Sequence, residues 1–287
     1  MTKPFRQAEW WQESHLDNLN EKIIQLRYWL GRKPLLKDLV GQQDPVIIAG
    51  QGGSGTRLAA QIFQKTSSFG LLYSSRKTLD SFSQRRSGLN DFNLMAELVK
   101  NTHTVNYDPM NVETTLRKKI ESCCEQLIKN ICSEKRAPRI WGWKEPYNLF
   151  WMPFMYKFFP KLKFILIVRD VRGIRQMHIQ GREELYDAYF EKNSELDQRG
   201  RFEMLWAAQY KDILDWSEKH LGQNYKIVKT EDLTGNNNYE TIKEMLSFAG
   251  IHDANVSKLT QLARPLREFQ KVPRSGLVQE VLNKFGY

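Results

Sequence analysis

Residues 45–57 read PVIIAGQGGSGTR, an apolar run that breaks into glycines and then a hydroxyl and a cation. PVIIA is short and β-branched, as a buried strand is, and TRLAAQIFQKT beyond the glycines puts Leu58, Ile62 and Phe63 on one helical face. Strand, glycine turn and helix in that order make an anion-binding unit. Glycines let backbone N–H groups approach phosphate oxygens, and the helix presents its positive N-terminus. The turn satisfies G-x-G-x-x-G at Gly50, Gly52 and Gly55, and it nearly satisfies G-x-x-x-x-G-K-[ST], with Thr56 where lysine belongs.

The rest of the chain repeats the strand and helix alternation. GLLYSS (70–75), RIWGW (139–143), KLKFILIV (161–168) and YKIVKTEDL (225–233) read as further strands. Between them the periodicity predicts helices over 19–30, over 92–100, along the cysteine-bearing stretch VETTLRKKIESCCEQLIKNIC, and over TIKEMLSFAGI, which ends at Gly250. Five consecutive apolar residues, FILIV, suit a strand covered on both faces. The expectation is an α/β fold of three layers, αβα, around a mainly parallel sheet. With 287 residues and no linker-like stretch, one domain is expected over 1–287, with a helical extension at 1–44. The long charged segment 173–205 has the length of an acceptor-side lid.

Composition narrows the partners. Forty-three Lys and Arg against 33 Asp and Glu give a net charge of +10, which favours an anionic ligand. The cations are interleaved with acids rather than gathered in one stripe, so no nucleic-acid partner is expected. No apolar run approaches the ~20 residues of a membrane span. Arg6, Glu9, Glu13 and Asp17 interrupt the amino-terminal stretch where a signal peptide needs an apolar core, so a cytoplasmic location is expected. Cys123, Cys124 and Cys132 lie in one helical pattern, too few and too local for a disulfide framework or a four-ligand zinc site, and no metal site is expected.

Three chemistries compete for the glycine turn. A P-loop kinase using MgATP needs a lysine that is missing here, although Asp170 after FILIVR would imitate a magnesium-holding aspartate. An NADP-binding oxidoreductase fits the glycine spacing, with Arg76 and Lys77 about twenty residues on to hold a 2′-phosphate. The third reading uses more of the chain. Gly52, Gly53, Ser54, Gly55, Thr56 and Arg57 resemble the 5′-phosphosulfate loop of PAPS-dependent sulfotransferases. FPKLKFILIVRDVRG (159–173) is similar to that family's second signature, whose arginine binds the nucleotide 3′-phosphate, here Arg169. WGWKEP, the helix bearing Trp206, KIVKTEDL and the FAGI helix end follow in family order from about 45 to 250, and VPRSG, with Arg274 and Ser275, resembles the segment that closes over the 3′-phosphate.

The resemblance implies a P-loop-NTPase-like fold and in-line transfer of a sulfuryl group from PAPS to a hydroxyl or amine acceptor, with release of PAP. Positioning and charge stabilisation carry such a transfer. Small-molecule, carbohydrate and lipid acceptors are all compatible. Lys144, at the end of the WGW strand, would stabilise charge on the leaving phosphate. A general base is implied, and three residues are candidates: Asp80 first, then Glu145, then the loop imidazole His103. Asp80 also has the chemistry of a helix N-cap before SFSQRR. Two positions depart from the family pattern. Gly53 replaces the basic residue that precedes Ser-Gly-Thr, a contact Arg57 would take over, and Met177 replaces the 3′-phosphate serine, with His178 beside it. Trp141, Trp143 and Trp151 are candidates for the acceptor pocket or for core.

Overall fold

The computed structural model describes residues 45–72, 74–75, 78–81, 84, 86–102, 111–134, 140–174, 183–190 and 196–287. The helix expected at 19–30, with the whole extension 1–44, lies outside the described residues, as do Arg76, Lys77, His103, Met177 and His178.

Five strands form one sheet: β1 Val46–Ala49, β2 Phe69–Leu71, β3 Ile140–Lys144, β4 Lys163–Val168 and β5 Tyr225–Lys229. Their order is β2-β3-β1-β4-β5, and every pairing is parallel. Alternation along each strand divides the apolar side chains between two cores. Ile47, Ala49, Trp141, Trp143, Phe164, Leu166 and Val168 face one. Val46, Ile48, Ile165, Ile167 and Val228 face the other. The five-residue apolar run is therefore one strand read from both sides, as a parallel sheet between helix layers requires.

The first core is covered by α2 Phe92–Thr102, α3 Thr114–Glu134, α4 Asn148–Phe158, α5 Glu183–Tyr189, α6 Gln198–His220 and, near the end of the chain, α10 Gly276–Lys284. The second is covered by α1 Thr56–Gln64, α8 Asn238–Ala249 and α9 Val256–Thr260. In α1 the residues Ala59, Ile62 and Phe63 recur at helical spacing and are fully buried. Gly250 ends α8 in the left-handed region, φ 92°, as its sequence position foretold.

Two strand bounds need correction, and two open readings are narrowed. The second strand is three residues long, not six, because the chain leaves the sheet after Leu72 donates to Gly142 O at 2.9 Å. The fifth strand stops at Lys229, and TEDL belongs to a short helix α7, Thr230–Thr234, whose first turn carries Glu231 and Asp232 where the helix dipole favours acids. Segment 173–205 is partly regular among the described residues. It contains α5, and its last residues are the first turns of α6. The three tryptophans are core: Trp141 and Trp143 stack at 6.1 Å, and the Trp151 indole donates to Leu89 O at 2.7 Å.

Candidate active site

Parallel strands end on one edge, so the segments after β1, β3 and β4 meet there; in open α/β sheets this is the edge where ligands bind. After β1 the chain turns through Gly50 to Gly55. At Gly50, φ 154°, a Cβ would run into the Ile167 carbonyl and lie 2.7 Å from Ser54 Oγ. Gly55 caps α1 from the left-handed region, φ 91°, and a Cβ there would lie 2.6 Å from Thr230 Oγ1. Neither position has room for a side chain. Gly53 has φ 92° as well. The first N–H groups of α1 have no acceptor within the helix, so they point out of its N-terminus beside the turn.

Neighbouring elements brace the turn. Gln51 N–H donates to the Tyr210 hydroxyl at 3.0 Å, and that hydroxyl donates to Ile167 O at 2.8 Å. The Gln51 amide donates to Gln209 Oε1 at 3.1 Å. From α7, the Thr230 hydroxyl donates to Ser54 O. Glu231 accepts from Asp170 N–H at 3.2 Å and from the Tyr287 hydroxyl at 2.6 Å, tying α7 to the exit of β4 and to the last residue. Burial raises the pKa of the Tyr210 phenol, so it stays a donor.

Arg169 follows β4 directly and reaches back to the turn, where Nη1 donates to Gly53 O at 3.3 Å. Its Nε is buried and has no partner among the described residues. An unsatisfied guanidinium N–H at the rim of a glycine turn fits an anionic ligand, because a phosphate oxygen would supply the missing acceptor. Asp170, by contrast, is committed. It takes a fork of bonds from Arg172, Nε to Oδ1 at 2.9 Å and Nη2 to Oδ2 at 2.7 Å, and is fully buried. The carboxylate that the kinase reading reserved for magnesium is thus held by a guanidinium.

Lys144 closes β3 in register with Ile48, on the face that carries α1. Its ammonium is ion-paired with Asp80 and donates to Thr78 O at 3.1 Å, with only 3% of the residue exposed. Asp80 sits in a tight turn. Ser75 N–H donates to Asp80 O and Leu79 N–H to Ser75 O, each at 3.0 Å, and Leu79 adopts φ 57°. A leucine in the left-handed region is strained, so the surrounding contacts fix this turn. Among the described residues Ser81 Oγ accepts from Gln84 N–H at 3.5 Å, and the Asp80 carboxylate meets Lys144, while residues 82 and 83, where an Asp80 cap would act, lie outside the described residues. Glu145 is 1% exposed and continues the ladder through its N–H to Ile48 O at 3.1 Å.

Among the expected cofactor contacts, Gly52, Gly53, Ser54, Gly55 and Thr56 form the turn and the start of α1, and Arg57 lies exposed in the first turn of that helix. Arg274 is bound to Glu203, and Ser275 is the exposed residue before α10. Sequence reasoning missed Tyr210, Glu203, Glu231 and Thr230. The only linear sign was position within FEMLWAAQY and KIVKTEDL, since the partners of Tyr210 and Thr230 are 159 and 176 residues away.

No helix among the described residues is long and apolar enough to cross a membrane. A structure of the sulfotransferase domain from the curacin biosynthetic pathway aligns over 85% of this chain and 98% of its own, with 16% identity and a TM-score of 0.51. Sulfotransferase STF9 from Mycobacterium avium aligns over 87% of this chain and 77% of its own, with 14% identity and a TM-score of 0.51. These likenesses concern the fold. No curated protein matches the sequence. The profile described as the sulfotransferase family matches residues 45–255, which takes in the glycine turn, the Lys144 strand, Arg169 and α7, and the chain belongs to that family.

Proposed function

We propose that the protein transfers a sulfuryl group from PAPS to a hydroxyl or amine on a small-molecule, carbohydrate or lipid acceptor. The observation that carries this reading is the Arg169 guanidinium, held to Gly53 O with its Nε buried and unsatisfied, beside a glycine turn that opens a helix. The turn from Gly52 to Thr56, with Arg57, would hold the 5′ end of the nucleotide, and Arg169 its 3′-phosphate. PAPS supplies the activated sulfuryl group.

The chain's own part in the chemistry is charge and proton handling. Lys144 places a positive charge at the sheet edge, one strand away from Ile48 at the approach to the turn. Asp80, ion-paired to Lys144 but with 13% of its side chain exposed, is the candidate to take the acceptor proton, and Glu145 is too enclosed to compete. His103 and His178 lie outside the described residues and keep their sequence-based roles as candidates.

The test is ligand-dependent stabilisation measured with PAP, with MgATP and with NADP, each at millimolar concentration. Micromolar binding to the native state adds roughly 4 kcal/mol. A rise with PAP alone, abolished by Arg169→Ala in a protein that still melts cooperatively, is the expected result. A response to MgATP or NADP without one to PAP would overturn the reading.

A further inference from the structure

We infer that Glu203 is a positioning residue that grips one edge of the Arg274 guanidinium and so presents the other edge to the nucleotide 3′-phosphate; the inference rests on the PAPS reading above. Residues 263–275 have no regular structure and are mostly exposed, so this strap depends on a few anchors. Phe269 is one. Its ring packs so closely on Gly173 that a Cβ there would lie 2.7 Å away. The Val272 carbonyl is another, accepting from Arg172 Nη1 at 3.4 Å. Arg274 is the third: Nε donates to Glu203 Oε2 at 2.5 Å and Nη2 to Glu203 Oε1 at 3.0 Å.

Glu203 is itself fixed. It lies in the second turn of α6, is 4% exposed, and also accepts from Arg199 Nε at 2.7 Å. Arg199 is in turn bonded to the carbonyls of Ile174, at 2.7 Å, and Val171, at 2.5 Å, in the turn after β4. The grip on Arg274 is therefore built on the same turn that begins with Arg169 and Asp170. Burial opposes ionisation of Glu203, but hydrogen bonds from Arg274 and Arg199 outweigh it and hold its pKa below the ordinary value.

A guanidinium has five N–H groups on two usable edges. Glu203 occupies the Nε and Nη2 edge. Nη1 has only the Val272 and Pro273 carbonyls at 3.4 and 3.5 Å, the weak limit of hydrogen bonding. The Nη1 and Nη2 edge thus retains N–H groups spaced for two phosphate oxygens. Three guanidiniums, Arg172, Arg199 and Arg274, against two carboxylates, Asp170 and Glu203, keep the cluster cationic.

Charge and positioning predict opposite signs, which makes the inference testable. Through charge alone, Glu203→Gln would tighten binding of an anion. Through positioning, it weakens binding, and only of a ligand that has the 3′-phosphate. Calorimetric titration of the full chain with PAP and with AMP reads this difference. The wild type should prefer PAP. Glu203→Gln should lose that preference by about tenfold with AMP affinity unmoved, the fold-change expected for one charge-assisted contact. Arg274→Lys, on the exposed strap, keeps the charge but has no second edge, and should show the same loss; it carries the test if Glu203→Gln fails to fold. An unchanged or increased preference in either folded variant overturns the inference and leaves the PAPS reading standing. A wild type that binds no PAP, or does not distinguish PAP from AMP, overturns both.

Discussion

The Tyr210 hydroxyl accepts the Gln51 N–H at 3.0 Å while donating to the Ile167 carbonyl at 2.8 Å, so one phenol joins the glycine turn to the strand that delivers Arg169. Tyr210 is fully buried, and no water replaces its bonds when they are lost. Tyr210→Phe leaves a buried N–H and a buried carbonyl short of a partner, at a cost of about 1–3 kcal/mol. Urea denaturation should show that loss. PAP titration should show weaker binding than the fall in stability accounts for, because the turn and Arg169 are no longer held in register.

In the proposed function Lys144 and Asp80 would divide the chemistry between them, and their variants should then separate. Lys144→Ala removes the charge that stabilises the leaving group, and turnover with a phenol or sugar acceptor should fall by about 10²–10³-fold. Asp80→Asn removes the proton acceptor and should lower turnover by about 10²–10⁴-fold, with PAP affinity close to the wild type. Full activity in Asp80→Asn would reassign the base.

Gly55→Ala tests the turn itself. The residue must adopt φ 91° with its Cβ 2.6 Å from Thr230 Oγ1, so strain and steric conflict add together. A loss of about 1–3 kcal/mol is expected from the backbone alone. Thr230→Ser in the same chain removes the methyl group on that side, and should recover part of the loss in thermal melts.

Asp212 in α6 gives a pH signature remote from the site. Burial, opposed by a hydrogen bond from Tyr189 and the charge of Lys211, pushes its carboxyl up to about 7. A carboxyl with a raised folded pKa favours folding while protonated: the contribution is full below the unfolded value near 3.8 and disappears as pH climbs through about 7. Relative to wild type, Asp212→Asn should therefore gain stability between pH 5 and pH 8, by about 3 kcal/mol. Denaturant midpoints at the two pH values, compared between variant and wild type, read the difference directly.

The sequence by itself determined the sheet and one half of the site. The short apolar, β-branched runs PVIIA and FILIV read as strands because a sheet covered on both faces buries every residue of such a run. The glycines between Pro45 and Arg57 read as a turn between strand and helix, and at Gly50 and Gly55 the backbone angles and contacts leave no room for a side chain. Arg169 was legible because it is the first polar residue after a fully buried strand, which puts it at the sheet edge whatever the rest of the chain does.

Tertiary structure decided the partners. That Asp80 meets Lys144, 64 residues away in the chain, depends on a strained turn packed against β3. Arg274 reads in sequence only as part of a segment resembling one that closes over a 3′-phosphate, yet Glu203, 71 residues earlier, holds one edge of it. Both are pairings of side chains on separate elements, fixed by how helices settle on the sheet. Local periodicity reports which face of an element is buried, and carries no information about which charged residue of another element will be found beside it.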